Sequence, residues 1–185
     1  MWAVVGLGNP GRRYAETRHN AGFLCVKRAA EDWDVRVKKN RFLARTGETR
    51  RGGERVILAL PQTFMNDSGQ SVKAIVRGVP VDPTRLVVVY DDADIVLGAV
   101  RIRKEGSAGT HKGMASIVAE LGTTGFPRIR VGIGPAPAAG DIVRFVLTSF
   151  RKDERARLEE SLEKAVEALN LIVAGRIEQA MNDFN

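Results

Sequence analysis

The run Leu86-Val87-Val88-Val89-Tyr90-Asp91 constrains the fold more than any other stretch. Its apolar residues are consecutive rather than alternating, so both faces of the strand must be covered. A strand of that kind lies inside a largely parallel sheet with helices on either side. Trp2–Leu7 reads as a second buried strand.

Helical and strand patterns alternate along the rest of the chain. A helix is predicted over residues 20–33, with Ala21, Leu24, Cys25, Ala29 and Trp33 near one face. Short strands are expected at 35–38 and 42–46. With a turn at Arg51–Glu54 and a strand over 55–60, residues 42–60 form an antiparallel hairpin. Asp67 with Gln70 resembles a capping box at the start of a helix that runs to about Gly78.

After the Leu86 run, a loop is expected from Asp92 to Gly98, a strand over 99–103 and a loop from Glu105 to Gly113. A helix over 114–121 and a strand over 128–133 follow. Gly134–Gly140, with Pro135 and Pro137 among alanines, reads as a flexible rim segment. Leu158, Leu162, Ala165, Val166, Leu169, Ile172 and Val173 then give the stripe of a long helix from about Asp153 to Ala174. Gly175 breaks it before a last short helix. The expected class is α/β: a single domain over residues 1–185, with a mixed, mostly parallel twisted sheet flanked by helices and a long C-terminal helix.

Several function classes fall away. No apolar run approaches the roughly 20 residues that span a bilayer. The first residues lack the basic region of a signal peptide. A single cysteine, Cys25, cannot form an internal disulfide, which suits a reducing compartment and places the protein in the cytoplasm. Lys and Arg number 29 against 22 Asp and Glu, a net charge of +7. Such an excess suits a polyanionic partner, nucleic acid above all.

In open sheets the ligand site lies beyond the carboxyl ends of the strands. Three polar segments fall there. The first follows Leu7 and carries Asn9, Tyr14, Arg18, His19 and Asn20. The second follows Leu60, and the third is Asp91-Asp92. Gly6-Leu7-Gly8-Asn9-Pro10-Gly11 matches a dinucleotide fingerprint, but the helix starts too late to face a pyrophosphate. The glycines are better read as a tight turn that lets Asn9 and His19 both face the end of the sheet. There is no G-x-S-x-G elbow, Cys25 lies on a helix's apolar side, and one Cys with two His gives no metal-ligand spacing. What remains is acid–base chemistry at His19, oriented by Asp91. Phe64 and Met65 form an apolar wall beside the Asn66 amide, which can donate to an oxyanion or a substrate carbonyl. Gly106–Gly113 is a loop with free backbone amides and a cation, Lys112, suited to an anionic substrate.

Taken together, these segments resemble the bacterial peptidyl-tRNA hydrolase family. The resemblance rests on Val5–Gly11, on Tyr14 with Thr17–Phe23, and on Pro61–Gly69, Asp91-Asp92, Gly98, Gly106–Gly113 and Arg128–Gly134, in the family's order and spacing. It implies a monomeric, phosphorylase/hydrolase-like α/β enzyme with no metal or cofactor. Such an enzyme cleaves the ester between a peptide and the 3′-terminal adenosine ribose of tRNA, recycling peptidyl-tRNA that has left the ribosome. It also implies roles: His19 as general base, Asp91 stabilising its protonated form, Asn9 on the substrate peptide, and Tyr14, Phe64 and Asn66 lining the acceptor-end site. Arg103 and Arg130 stand where the family contacts tRNA phosphate. The chain departs from the family at Lys112, where an asparagine is usual. A lysine there donates only, and close to His19 its charge would disfavour imidazolium. Relatives of this fold that serve in chloroplast RNA splicing without the esterase supply the alternative, a binding module.

Overall fold

The computed structural model describes residues 1–137 and 141–185. Seven strands form one sheet: β1 (Trp2–Gly6), β2 (Lys39–Arg41), β3 (Ala44–Arg51), β4 (Glu54–Pro61), β5 (Leu86–Val96), β6 (Val100–Arg103) and β7 (Arg128–Gly134), in the order β2-β3-β4-β1-β5-β7-β6. The central four, β4, β1, β5 and β7, run parallel, and the outer pairings are antiparallel. The apolar Leu86 run is indeed central: β5 pairs with β1 from Ala3↔Leu86 to Gly6↔Val89, and with β7 from Val88↔Arg128 to Asp92↔Gly132.

Helices cover both faces, because the central strands bury alternate residues in two separate cores. Val4, Leu58, Val87 and Val89 pack with α1 (Ala21–Asp32) and α5 (Arg155–Val173), and α6 (Ile177–Phe184) closes the same side. Val5, Ile57, Val88 and Tyr90 pack with α2 (Ser68–Gly78) and α3 (Lys112–Leu121). The α5 stripe predicted from spacing is buried throughout. A short helix, α4 (Ile142–Val146), capped by the Asp141 carboxylate, stands beside the carboxyl end of the sheet. It has no counterpart among the elements expected from sequence. The rim segment expected at 134–140 falls partly on residues 138–140, which lie outside the described residues.

Local corrections have identifiable causes. No strand forms at 35–38, and residues 42 and 43 are the turn between β2 and β3 rather than a strand start. Phe42 and Leu43 take left-handed conformations (φ 58° and 53°), and the Phe42 ring occupies space that a side chain at Gly78 would need. The strand at 86 does not stop at Asp92: β5 continues to Val96 across a register shift between those residues. Asp67 makes no side-chain cap to α2. The α2 amide of Gly69 donates instead to Ser116 Oγ on α3 at 2.9 Å. α3 starts two residues earlier than expected because His111 caps it, its Nδ1 accepting from Met114 N–H at 3.2 Å.

The glycines of the first motif are chiefly packing residues. A Cβ on Gly6 would sit 2.3 Å from the Gly22 carbonyl oxygen, and one on Gly22 would sit 2.2 Å from the Val89 carbonyl oxygen. Thus α1 lies backbone against backbone on β1 and β5. Within Gly6–Gly11 the turn itself needs Gly11, at φ 102°. The segment after it is anchored by Arg18, which is buried. Its guanidinium donates to the Thr148 and Ser149 carbonyls at 3.1 and 2.9 Å and to both Glu154 oxygens at 2.9 and 2.7 Å, beneath the Phe145 and Phe150 rings.

This close seat gives a stability prediction. Gly22→Ala forces α1 off the sheet and is expected to cost about 3 kcal/mol or more, as overpacking against rigid backbone does. A urea denaturation midpoint within error of the parent would contradict the packing account.

Candidate active site

The carboxyl ends of β1, β4 and β5 open into one cavity of about 780 Å³. Asp91 lies at its base, 3% exposed. Both its oxygens lie 2.9 Å from His19 Nδ1, and Oδ1 is also 3.0 Å from His111 Nε2. Burial alone would push the Asp91 carboxyl up. His111 and then His19 reverse that and hold it well below the usual carboxylate range.

The hydrogen bonds assign the protons. His111 Nδ1 accepts the Met114 N–H, so the ring proton is on Nε2 and is donated to Asp91. His19 Nδ1 faces the same anion and donates to it. That leaves His19 Nε2 as the imidazole lone pair, with no hydrogen-bond partner among the described residues, on a side chain that lines the cavity. His111 is steadied by Tyr90, ring edge to face with centroids 4.8 Å apart. The donor atoms of His19, Asp91 and His111 lie within 4.8 Å of one another, a spacing compatible with a metal ion. Here, however, N–H groups join the trio, with no converging set of lone pairs. Cys25 is fully buried in α1 and its thiol is pushed up by that burial, so it offers no nucleophile.

Asn9 is held on both sides. Its backbone N–H donates to Asn20 Oδ1 at 2.8 Å, and its carbonyl accepts from Asn20 Nδ2 at 3.0 Å. Its own Oδ1 accepts from Met65 N–H at 2.8 Å, which leaves Nδ2 as the donor end at the cavity wall. The Met65–Asp67 turn after β4 carries Asn66, whose amide is exposed and 3.4 Å from Asp67. Phe64 lies 55% exposed on the rim, and Val143 and Leu147 of the α4 segment line the same cavity. Lys112, Arg103 and Arg130 also line it. Tyr14 does not: it points toward Arg13 and lies outside the lining. Arg18, grouped by sequence with the polar loop, is a structural anchor instead.

Two residues of the site are not singled out by the sequence. His111 is visible there only as part of a loop motif; that it is one of two histidines and sits at a helix start is the available signal. Arg128 is 1% exposed and donates to the Gly106, Ser107 and Thr124 carbonyls at 2.6, 3.0 and 2.7 Å. It thereby holds the loop leading to His111. Nothing in an alternating strand pattern separates such an arginine from its more exposed neighbour Arg130.

Known proteins resemble this chain along its whole length. The family model for peptidyl-tRNA hydrolase matches residues 3–185. The peptidyl-tRNA hydrolase of Alkaliphilus metalliredigens is 49% identical over 185 residues, all of both chains. That of Chloroflexus aurantiacus is 48% identical over 186 residues, covering 100% of this chain and 99% of the relative. The crystal structure of peptidyl-tRNA hydrolase from Acinetobacter baumannii superposes with a TM-score of 0.92 at 34% identity, covering 98% of this chain and 93% of that one. With a family match that runs through every segment of the cavity wall, the chain belongs to the peptidyl-tRNA hydrolase family.

Proposed function

We propose that the protein hydrolyses the ester joining a peptide, or an N-blocked aminoacyl group, to the 3′-terminal ribose of tRNA. The observation that carries this reading is the His19–Asp91 pair, with a free imidazole nitrogen at the wall of a cavity rimmed by cations. His19 Nε2 takes a proton from water as the water oxygen attacks the ester carbonyl. Asp91 stabilises the imidazolium so formed. The Asn66 amide and Asn9 Nδ2 are donors available to the carbonyl oxygen as it becomes an oxyanion, and Asn9 also reads the peptide. The imidazolium then returns its proton to the departing ribose oxygen, giving a free peptide carboxylate and a 3′-terminal hydroxyl. Every step uses side chains of this chain and water.

Arg103, Arg130 and Lys112 supply the phosphate contacts, in keeping with the net charge of +7. Phe64 forms an apolar wall at the acceptor end. In this reading the protein acts as one domain over residues 1–185, as a monomer, in the cytoplasm. The continuous seven-stranded sheet supports the first of these. Among the described residues no helix is long and apolar enough to cross a membrane.

Turnover separates this from a pure RNA-binding role. N-acetyl-aminoacyl-tRNA is expected to be hydrolysed and free-amine aminoacyl-tRNA largely spared, with His19→Ala reducing kcat about a thousandfold. Tight tRNA binding with no hydrolysis, or a fully active His19→Ala, would overturn the proposal.

The two bonds to Asp91 also set a pH dependence. His111 donates to the carboxylate and so weakens its pull on His19. In His111→Ala the carboxylate becomes the stronger acceptor, imidazolium is favoured, and the acid limb of kcat/KM is expected to move to higher pH. The same variant loses the α3 cap, about 1 kcal/mol of stability. Lys112→Asn removes a cation from the cavity rim and is expected to move the limb the same way and to flatten the salt dependence of KM. A limb unmoved in both variants contradicts this electrostatic account.

A further inference from the structure

Arg130 differs from the other cavity arginines in how its guanidinium is held. Arg128 spends its donors on backbone carbonyls. Arg103 gives one Nη to the Ile102 carbonyl at 3.0 Å and meets no carboxylate among the described residues. Arg130 donates Nε to Asp92 Oδ2 at 2.7 Å, and neither of its Nη groups has a hydrogen-bond partner among the described residues. Asp92 is itself fixed, because its other oxygen accepts the Asp94 N–H at 2.9 Å. This small turn falls where β5 changes register against β7. The Asp92 side chain is 12% exposed and that of Arg130 30%.

A carboxylate is a poor neighbour for a phosphate-binding group. It removes about one unit of positive charge from the place where a phosphate must sit. What it gives in return is direction. A guanidinium held at Nε has its last torsions set, and its two Nη groups present the flat fork that matches two phosphate oxygens. We propose that Asp92 is a positioning residue for substrate binding, orienting the Arg130 fork toward a phosphate of the tRNA. This rests on the reading of Arg130 as a phosphate contact.

The test is a double-mutant cycle with N-acetyl-aminoacyl-tRNA as substrate. Asp92→Asn keeps an oxygen for the Asp94 N–H and places an amide nitrogen, which cannot accept, before Arg130 Nε. KM is expected to rise about three- to tenfold, with kcat and its pH profile unchanged. Arg130→Ala is expected to raise KM at least as much, and the double variant no further. Arg130→Lys keeps the charge without the Nε donor or the fork, and is expected to behave nearly as Arg130→Ala. Charge alone predicts the opposite sign, so a lowered or unchanged KM in Asp92→Asn overturns the positioning role. So does a fall in kcat at constant KM, which would mean that Asp92 acts through Asp91. So does an equal rise in KM when Asp92→Asn is added to the Arg130→Ala background. An unchanged KM in Arg130→Ala instead removes the phosphate reading on which the proposal stands.

Discussion

A single buried carboxylate organises this molecule. Asp91 ends the apolar run of the central strand, and two histidines from separate segments reach the same anion. A buried charge survives only with donors placed around it. Here the donors are the imidazoles themselves, so the requirement that keeps Asp91 ionised also fixes the tautomer of each ring. The unpartnered His19 Nε2 at the cavity wall is a by-product of satisfying the carboxylate.

Everything nearby serves that arrangement. The backbone-to-backbone seat of α1 at Gly6 and Gly22 sets the height at which His19 enters. Arg18 ties the loop before it to the Thr148–Glu154 segment, so the α4 side of the cavity and the His19 segment share one anchor. Across the cavity, Arg128 holds the loop that ends in His111. Two buried guanidiniums from different parts of the chain thus brace the two histidines. Their donors go to backbone carbonyls and, for Arg18, to Glu154, so neither competes with the imidazoles for Asp91.

Much of this arrangement is legible in the amino-acid sequence. The consecutive apolar residues of β5 demand a covered central strand, and the rule that ligands gather at strand carboxyl ends places Asn9, His19 and Asp91 together. Local signal strength decides where sequence and structure part. Residues 35–38 carry a weak pattern and form no strand, whereas of the strand expected at 42–46 only Phe42 and Leu43 fall away, both in left-handed conformations before β3 begins at Ala44. α4 is too short to show a period, and its cap at Asp141 is its one clear signal. Chain-local reasoning makes the glycines of the first motif a turn, because the strand carbonyl of Val89 that presses on Gly22 lies far along the chain. The family resemblance puts Tyr14 at the site, whereas it lies beside Arg13. Arg128 and Arg130 share one strand and differ in everything around them, which spacing cannot convey.

The protein has only two histidines, so their protonation can be read directly. Long-range nitrogen NMR on the histidine-labelled protein near neutral pH tests the central claim most closely. One ring of each tautomer is expected: His19 with its proton on Nδ1 and a bare Nε2, and His111 with its proton on Nε2. His19 carrying its proton on Nε2 would leave no base facing the cavity and would contradict that claim.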